Sequence, residues 1–264
     1  MEHKFRNYND SDMNVKLNYK NAREKQTYDF VTNYMMPKYL NFKESPIKLT
    51  ILEALDKLSN FVDLSDPDME LPNNIHLYQT AEAIRKQGYP DWFQLVGLIH
   101  DLGKIMYMKG NNEDGTSMES QFSIVGDTFI VGYPIPDSIV YPEFNQNNID
   151  TNNLDTNKYS NNIGIDNCTI SFGHDEYLYQ VLKYNRTKIP EEGLNIIRYH
   201  SLYVWHTFGA YRELMCEKDY TTLKLVQMFN KFDLYTKENK QVDFDKEYYI
   251  KLIEKYIGLS KLTW

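Results

Sequence analysis

The residues of this chain that could do chemistry are histidines and aspartates on the apolar faces of predicted helices. His100 closes the run DWFQLVGLIH and shares one helical face with Phe93 and Val96, so its imidazole should point into the core. Asp101 follows directly and should border the same interior. A single buried histidine is usually a hydrogen-bonded core residue, but an unpaired buried carboxylate is very costly.

Four further residues repeat this placement on the inward side or at the ends of predicted helices: His76, His174, His200 and Asp233. Several imidazoles and carboxylates that converge on one interior are hard to satisfy by hydrogen bonds alone, whereas metal ions would turn them into ligands. Four histidines and two aspartates are enough for two metals, and a carboxylate such as Asp101 could bridge them. Nitrogen and oxygen ligands without thiolate favour iron, manganese or zinc, and the residue types do not choose among these metals.

The elements that must position these residues are mostly helices. Apolar residues at three- and four-residue spacing predict a helix that starts after Ser45-Pro46, followed by helices near residues 76–87, 91–104, 174–186, 191–205, 223–236 and 248–257. The string FSIVGDTFIV, residues 122–131, predicts a short turn or hairpin. An Asn-rich segment at about 145–162 predicts a polar surface loop. We therefore expect an all-α fold, one domain over residues 1–264, with at most a short β-hairpin.

Composition narrows the classes of protein to which the chain can belong. The formal net charge of −8 disfavours nucleic acid and membrane surfaces as partners. Two cysteines make a disulfide framework improbable and fit a reducing compartment. Residues 1–16 are polar and lack the apolar region of a signal peptide, and the apolar stretches are too short to span a bilayer. We expect a cytoplasmic protein, and nothing in the sequence requires more than a monomer.

Longer strings carry a resemblance to known families. The order His76, His100-Asp101, Asp233 resembles the ligand pattern of the HD-domain superfamily, a helical metal-binding fold. More specific strings resemble the myo-inositol oxygenase family from near the first residue to the closing LTW: FRNY, SDPD, HLYQTAEAIR, DWFQLVGLIHDLGK, VGDTFIVG, GHDEYLYQ, HSLYVWHT and FNKFDLYTK. One departure is Phe172, where the family often has Trp. The resemblance implies an HD-domain-like helical bundle around a di-metal site.

The same resemblance implies an activity and a set of site residues. The reaction would be cleavage of the myo-inositol ring by O2 to D-glucuronate and water, at a mixed-valent Fe(II)/Fe(III) centre of two iron ions. One iron would be held by His76, His100, Asp101 and Asp233, and the other by Asp101, His174 and His200. Asp101 and Lys104 would be catalytic. The residues implied in substrate binding are Arg6, Asp63, Ser65, Asp66, Lys104, Gly126, Asp127, His200, Ser201 and Lys237.

Plainer interpretations stand beside this one. Asp66 and Asp127 could organise turns, Arg6 and Lys237 could be solvated charges, and His206 is interpreted as structural. The main alternative function is an HD-type metal phosphohydrolase acting on nucleotides, which would use the same core ligands but needs a basic cluster for phosphate. A third hypothesis is a helical binding protein without catalysis, whose histidines are core residues.

Overall fold

Helices make up almost all of the regular structure in the computed structural model, which describes Tyr8 and residues 11–67, 73–152, 158–235 and 243–264. The helices are α1 (Met13–Lys25), α2 (Tyr28–Phe30), α3 (Met36–Tyr39), α4 (Ile51–Lys57), α5 (Asn73–Lys86), α6 (Asp91–Ile99), α7 (Ile149–Asn152), α8 (His174–Tyr184), α9 (Glu191–Tyr199), α10 (Tyr203–His206), α11 (Asp219–Tyr235) and α12 (Lys246–Tyr256). None of those described is long and apolar enough to cross a bilayer. The prediction of an all-α fold is confirmed.

The predicted helix start at Ser45-Pro46 is wrong by several residues. Lys48–Leu49 forms strand β1, which pairs in antiparallel register with strand β2, Leu262–Thr263. Helix α4 begins only after Thr50, whose hydroxyl accepts from the amide of Glu53 while the Glu53 carboxylate accepts from the amide of Thr50. This reciprocal capping box sets the start of the helix. The apolar residues before it continue the helical spacing but pack in extended backbone against the last residues of the chain.

The segment at residues 122–131, predicted to be a short turn or hairpin, forms the turn and no hairpin, and the structure describes it completely. Its residues form turns and one isolated antiparallel bridge, Ile130 to Ile170. The backbone instead bonds to two other segments: the amide of Thr128 donates to the carbonyl of Ser201 at 3.0 Å, and that of Ser171 donates to the carbonyl of Phe129 at 2.7 Å. These bonds fasten the turn at Gly126, where φ is +105°, beside the start of α8.

Two close approaches of backbone bring the site-bearing helices together. Helix α5 packs against α6, and α8 packs against both α9 and the 3₁₀ helix Leu102–Lys109. A Cβ at Gly103 would lie 2.0 Å from the carbonyl oxygen of His174, and one at Gly97 would lie 2.8 Å from the side chain of Ile84. Only glycine allows the chain after α6 to pass this close to the first residue of α8.

The Asn-rich segment is predicted to be a polar surface loop, but several of its polar side chains are buried. Asn148 donates to the carbonyls of Arg23 and Gln26 at 2.7 and 3.0 Å. Asn145 accepts from the Nε of Arg23 at 3.1 Å, and Asp150 accepts from the amide of Tyr28 at 2.6 Å. These polar side chains are buried because they satisfy polar groups of the N-terminal helices. Residues 153–157 lie outside the described part of the chain.

Candidate metal centre

Six buried side chains from different elements meet at one point of the fold. Four of them stand at helix ends and the other two inside helices, and all are at most 4% exposed: His76 in α5, His100 just after α6, Asp101 before the 3₁₀ helix, His174 at the start of α8, His200 just after α9 and Asp233 near the end of α11. The six side chains therefore come from five separate segments of the chain that meet only in the folded protein.

Three of the imidazoles are oriented by backbone carbonyls. Their Nδ1 atoms lie at hydrogen-bond distance from carbonyl oxygens, which can only accept, so each Nδ1 must carry the proton. Each Nε2 then presents a lone pair to the interior. The pairs are His100 with Gly97 at 3.0 Å, His174 with Ile124 at 2.6 Å, and His200 with Ile197 at 2.8 Å. This is the arrangement that orients metal-binding histidines in proteins.

The carboxylate of Asp101 lies at the centre of these lone pairs. Its Oδ1 is 3.0 Å from Nε2 of His174, 3.5 Å from Nε2 of His200 and 3.8 Å from Nε2 of His100. Asp101 belongs to two groups whose ligand atoms lie within 4.8 Å of one another, one with His76 and His100 and the other with His174 and His200. A single carboxylate is therefore shared by two candidate metal positions.

Asp233 serves only one of these positions. Its Oδ1 lies 2.8 Å from Nε2 of His76 and 3.3 Å from Nε2 of His100. We use the term first position for His76, His100, Asp101 and Asp233, and second position for Asp101, His174 and His200. The first position has four protein side chains and the second has three.

Unfavourable contacts show that a cation fits between these groups. Nε2 of His100 is buried and forms no hydrogen bond with any described residue. The Nε2 atoms of His174 and His200 face each other at 3.1 Å, although both Nδ1 atoms already carry the proton. Two lone pairs at this distance repel each other unless a cation lies between or beside them. The donor set, imidazole nitrogen and carboxylate oxygen without sulfur, suits iron, manganese or zinc.

The electrostatics of the cluster favour the same conclusion. Burial by itself would raise the pKa of Asp101, but Lys104 and His100 outweigh burial and hold that pKa well below its usual value. Burial likewise opposes ionisation of Asp233, whose pKa is held well below its usual value by His100 and His76. Both carboxylates are therefore ionised at neutral pH, as metal ligands must be.

A polar cavity of about 70 Å³ opens onto the cluster. Its described lining contains nearly all of the remaining site residues predicted from the sequence: Asp63, Ser65, Asp66, Lys104, Gly126, Asp127 and Ser201. Hydroxyls, carboxylates and an ammonium dominate this wall, unlike the mostly apolar walls of typical ligand pockets. Such a surface suits a ligand that consists mainly of hydroxyl groups. Arg6 and Lys237 lie outside the described residues.

Lys104 links the cavity wall to the shared carboxylate. Its Nζ lies 2.8 Å from Oδ2 of Asp101 and 2.8 Å from Oδ2 of Asp63. Burial would lower the pKa of this lysine, but the two carboxylates raise it above its usual value, so the ammonium stays charged. Asp63 is held in turn by the amide and hydroxyl of Ser65, at 2.8 and 2.6 Å.

Four lining residues were not predicted from the sequence: Tyr8, Tyr19, Asn73 and Tyr203. Asn73 donates to Oδ2 of Asp101 at 2.8 Å, and Tyr19 donates to Oδ1 of Asp127 at 3.3 Å. Asn73 stands three residues before His76, so helical spacing could have placed it on the same face. Nothing in the local sequence marks Tyr19, which reaches the cavity from α1. His206 bonds the carbonyl of His200 at 2.9 Å and does not line the cavity.

Comparison with known proteins identifies the family. The family model described as myo-inositol oxygenase matches residues 12–264. The chain is 44% identical to the inositol oxygenase of Sus scrofa over 264 residues, covering 96% of this chain and 89% of that protein. It is 43% identical to the inositol oxygenase of Mus musculus, covering 98% of this chain and 90% of that protein, and 42% identical to that of Dictyostelium discoideum, covering 98% and 89%.

The chain belongs to the myo-inositol oxygenase family. The resemblance inferred from the sequence strings is thus confirmed over almost the whole chain. In this member of the family, the departure at Phe172 leaves the ring buried and packed against Tyr39, with the centroids 5.8 Å apart. The backbone of Phe172 bonds to Gln26 through both its amide and its carbonyl, each at 2.9 Å. The change from Trp therefore falls in the packing behind α8, away from the cavity.

Proposed function

We propose that this protein is a di-iron oxygenase that cleaves myo-inositol with one O2, giving D-glucuronate and water in a four-electron ring opening at the C1–C6 bond. The observation that supports it most directly is the single carboxylate of Asp101 shared by two sets of histidines at the end of a polar cavity. Family membership adds the substrate and the use of O2, since its relatives are named inositol oxygenases.

In this proposal both positions hold iron, in the mixed-valent Fe(II)/Fe(III) state. His76, His100, Asp101 and Asp233 would hold the first ion, and Asp101, His174 and His200 the second. The second position has one protein ligand fewer, so a diol of the substrate can complete its coordination there. The bound irons would supply Lewis acidity and relay electrons to O2, whereas the four electrons that reduce O2 would come from the carbon atoms of the inositol ring.

The protein side chains would orient the substrate and control its protons. A ring that carries a hydroxyl on every carbon offers only donors and acceptors, so selectivity requires many directed polar contacts. Asp63, Asp127 and Ser201 line the cavity where such contacts would form. The charged Nζ of Lys104, beside Asp101, would stabilise a hydroxyl oxygen of the substrate as that oxygen loses its proton. Arg6 and Lys237 are included in the substrate site on the family resemblance alone.

A phosphohydrolase is less well supported. Phosphate esters require several cationic donors near the metal, and Lys104 is the sole lysine or arginine lining the cavity among the residues that the structure describes. That lysine is already engaged by two carboxylates. The cavity therefore offers a phosphoester more repulsion than attraction.

The test is anaerobic loading of the protein with iron, followed by measurement of O2 uptake and uronate formation with myo-inositol. We expect one O2 consumed per uronate formed, and no release of the chromophore from a chromogenic phosphodiester. Lys104→Met should keep the iron and lose turnover, whereas Lys224→Met, on the exposed face of α11, should change neither. No O2 uptake by protein that has bound two irons would contradict the proposal.

A further inference from the structure

Asp175 is a buried carboxylate that neither belongs to the two metal positions nor lines the cavity. It stands in the first turn of α8, directly after His174, and is 2% exposed. Neither of its carboxylate oxygens accepts a hydrogen bond from any residue in the described part of the chain. Buried carboxylates are almost always paired, because water would otherwise solvate them far better. Some positive charge must therefore compensate it.

The surrounding protein supplies little of that charge. The N-terminal end of α8 favours an anion, but a helix terminus offsets only a fraction of the cost of burying a carboxylate. The adjacent Glu176 takes the nearby guanidinium, with Nε of Arg198 2.6 Å from Oε2 of Glu176. Arg198 therefore pairs with Glu176, and neither carboxylate oxygen of Asp175 accepts a hydrogen bond from it.

One imidazole of the second position lies directly beside Asp175. The Oδ1 of Asp175 lies 3.0 Å from Nδ1 of His174, although that nitrogen also lies 2.6 Å from the carbonyl oxygen of Ile124. The Nε2 of His174 is in turn 3.1 Å from the Nε2 of His200. The Asp175 carboxylate therefore lies behind a ligand that only the second position possesses.

We propose that Asp175 is a positioning residue of the second metal position, whose buried carboxylate strengthens His174 as a ligand and stabilises the more oxidised metal there. This inference rests on the proposed function. A carboxylate behind a metal-binding imidazole makes the ligand more basic, and a nearby negative charge favours Fe(III) over Fe(II). Asp175 does not line the cavity and acts through His174.

The test compares Asp175→Asn with Glu176→Gln, two isosteric changes that each remove one negative charge from the same turn. Zinc, which has no redox chemistry, is the first probe, and its affinity is measured by chelator competition. We expect Asp175→Asn to weaken the second zinc at least tenfold. Glu176→Gln should change that affinity less than threefold, because its charge is already neutralised by Arg198.

Redox titration of the iron-loaded protein is the second measurement, read from the electron paramagnetic resonance of the mixed-valent pair. Asp175→Asn should shift the Fe(III)/Fe(II) equilibrium at least tenfold towards Fe(II), which is about 59 mV for one electron. Asp175→Glu, which keeps the charge, should restore most of the zinc affinity and the potential. Unchanged zinc affinity and potential in Asp175→Asn would overturn the proposal.

Complete loss of the second metal in a variant also gives a defined result. If Asp175→Asn loses the second metal while Asp175→Glu keeps it, the charge is required and the proposal is supported. If both variants lose it, packing rather than charge explains the residue and the proposal is wrong. A wild-type protein that binds two zinc ions but consumes no O2 with inositol would refute the proposed reaction, and the zinc comparison would still decide the role of Asp175.

Discussion

The two positions of the candidate centre are built in different ways. The first takes His76 and Asp233 from inside the long helices α5 and α11, and its carboxylate lies 2.8 Å from the imidazole. The second takes His174 and His200 from helix ends, and backbone carbonyls orient both rings. Behind the second position stand Asp175 and the ion pair of Glu176 with Arg198.

This difference separates a closed position from an open one. Four protein ligands can nearly complete the coordination of a metal, whereas three leave room for substrate. An open position needs other means to keep its ligands in place, and charges behind the histidines can do so. We therefore expect the two positions to respond differently to substitution.

The largest effect is expected for Asp101→Ala, which removes the residue common to both positions. Both irons should be lost and turnover should fall by at least roughly a thousandfold, because neither remaining ligand set keeps a bridge. Iron per chain, measured by elemental analysis, and O2 uptake with inositol check this. A variant that retains both irons would show that the two positions do not depend on the carboxylate of Asp101.

The next effect separates the positions from each other. His200→Ala leaves two ligands at the second position and should release that iron while the first is kept. His76→Ala leaves three ligands at the first position, so its iron should be weakened by roughly 10- to 100-fold but still bind when iron is in excess. Metal titration of both variants gives the comparison. Equal losses in the two variants would contradict the distinction between a closed and an open position.

A smaller effect concerns the ion pair behind the second position. Arg198→Met leaves the carboxylate of Glu176 buried, so metal-free protein should lose about 3 kcal/mol of unfolding free energy. Lys255→Met removes the more exposed ion pair with Asp91, whose side chains are 57% and 33% exposed, and should cost under about 1 kcal/mol. Urea denaturation measures both. Equal costs would show that the second position has no special support.

The smallest effect is expected for Tyr19 in the cavity wall. Tyr19→Phe removes one hydrogen bond to Asp127 and should raise KM roughly fivefold with little change in kcat. Asp127→Ala, which removes the carboxylate itself, should lower kcat/KM more while keeping both irons. Steady-state kinetics with myo-inositol distinguish the two variants. A loss of iron in Tyr19→Phe would connect this tyrosine to the metal rather than to the substrate.

Much of the fold could be predicted from the sequence, with its largest errors at element boundaries. Helical spacing before α4 was extended back to Ser45-Pro46, but residues 48–49 pair with the end of the chain. Such pairing depends on a segment more than 200 residues away, which local periodicity does not include. For residues 122–131 the sequence predicted a turn or a hairpin. The turn forms but a hairpin does not, because the backbone groups bond to the turn after α9 and to residues 169–171.

The candidate site was likewise predicted only in part. Apolar helical faces predicted that His100, His174, His200 and Asp233 turn inward, because an amphipathic helix buries one face wherever it packs. They could not predict Tyr19 or Asp175. The first reaches the cavity from a helix more than 50 residues before His76. The second differs from an ordinary acidic residue of a first helical turn in being buried without a hydrogen bond from any described residue.

The amino-acid sequence was enough to predict the family, the side-chain types of the candidate centre and the helices that carry them. Local spacing and side-chain chemistry carry that information. Tertiary structure alone decided that Asp101 lies between two groups of histidines, that Lys104 is held by two carboxylates, and that the second position has a buried charge behind it. These relations depend on the packing of distant helices through contacts such as Gly103 against His174, and no local pattern encodes the distance between segments that meet only in the folded chain.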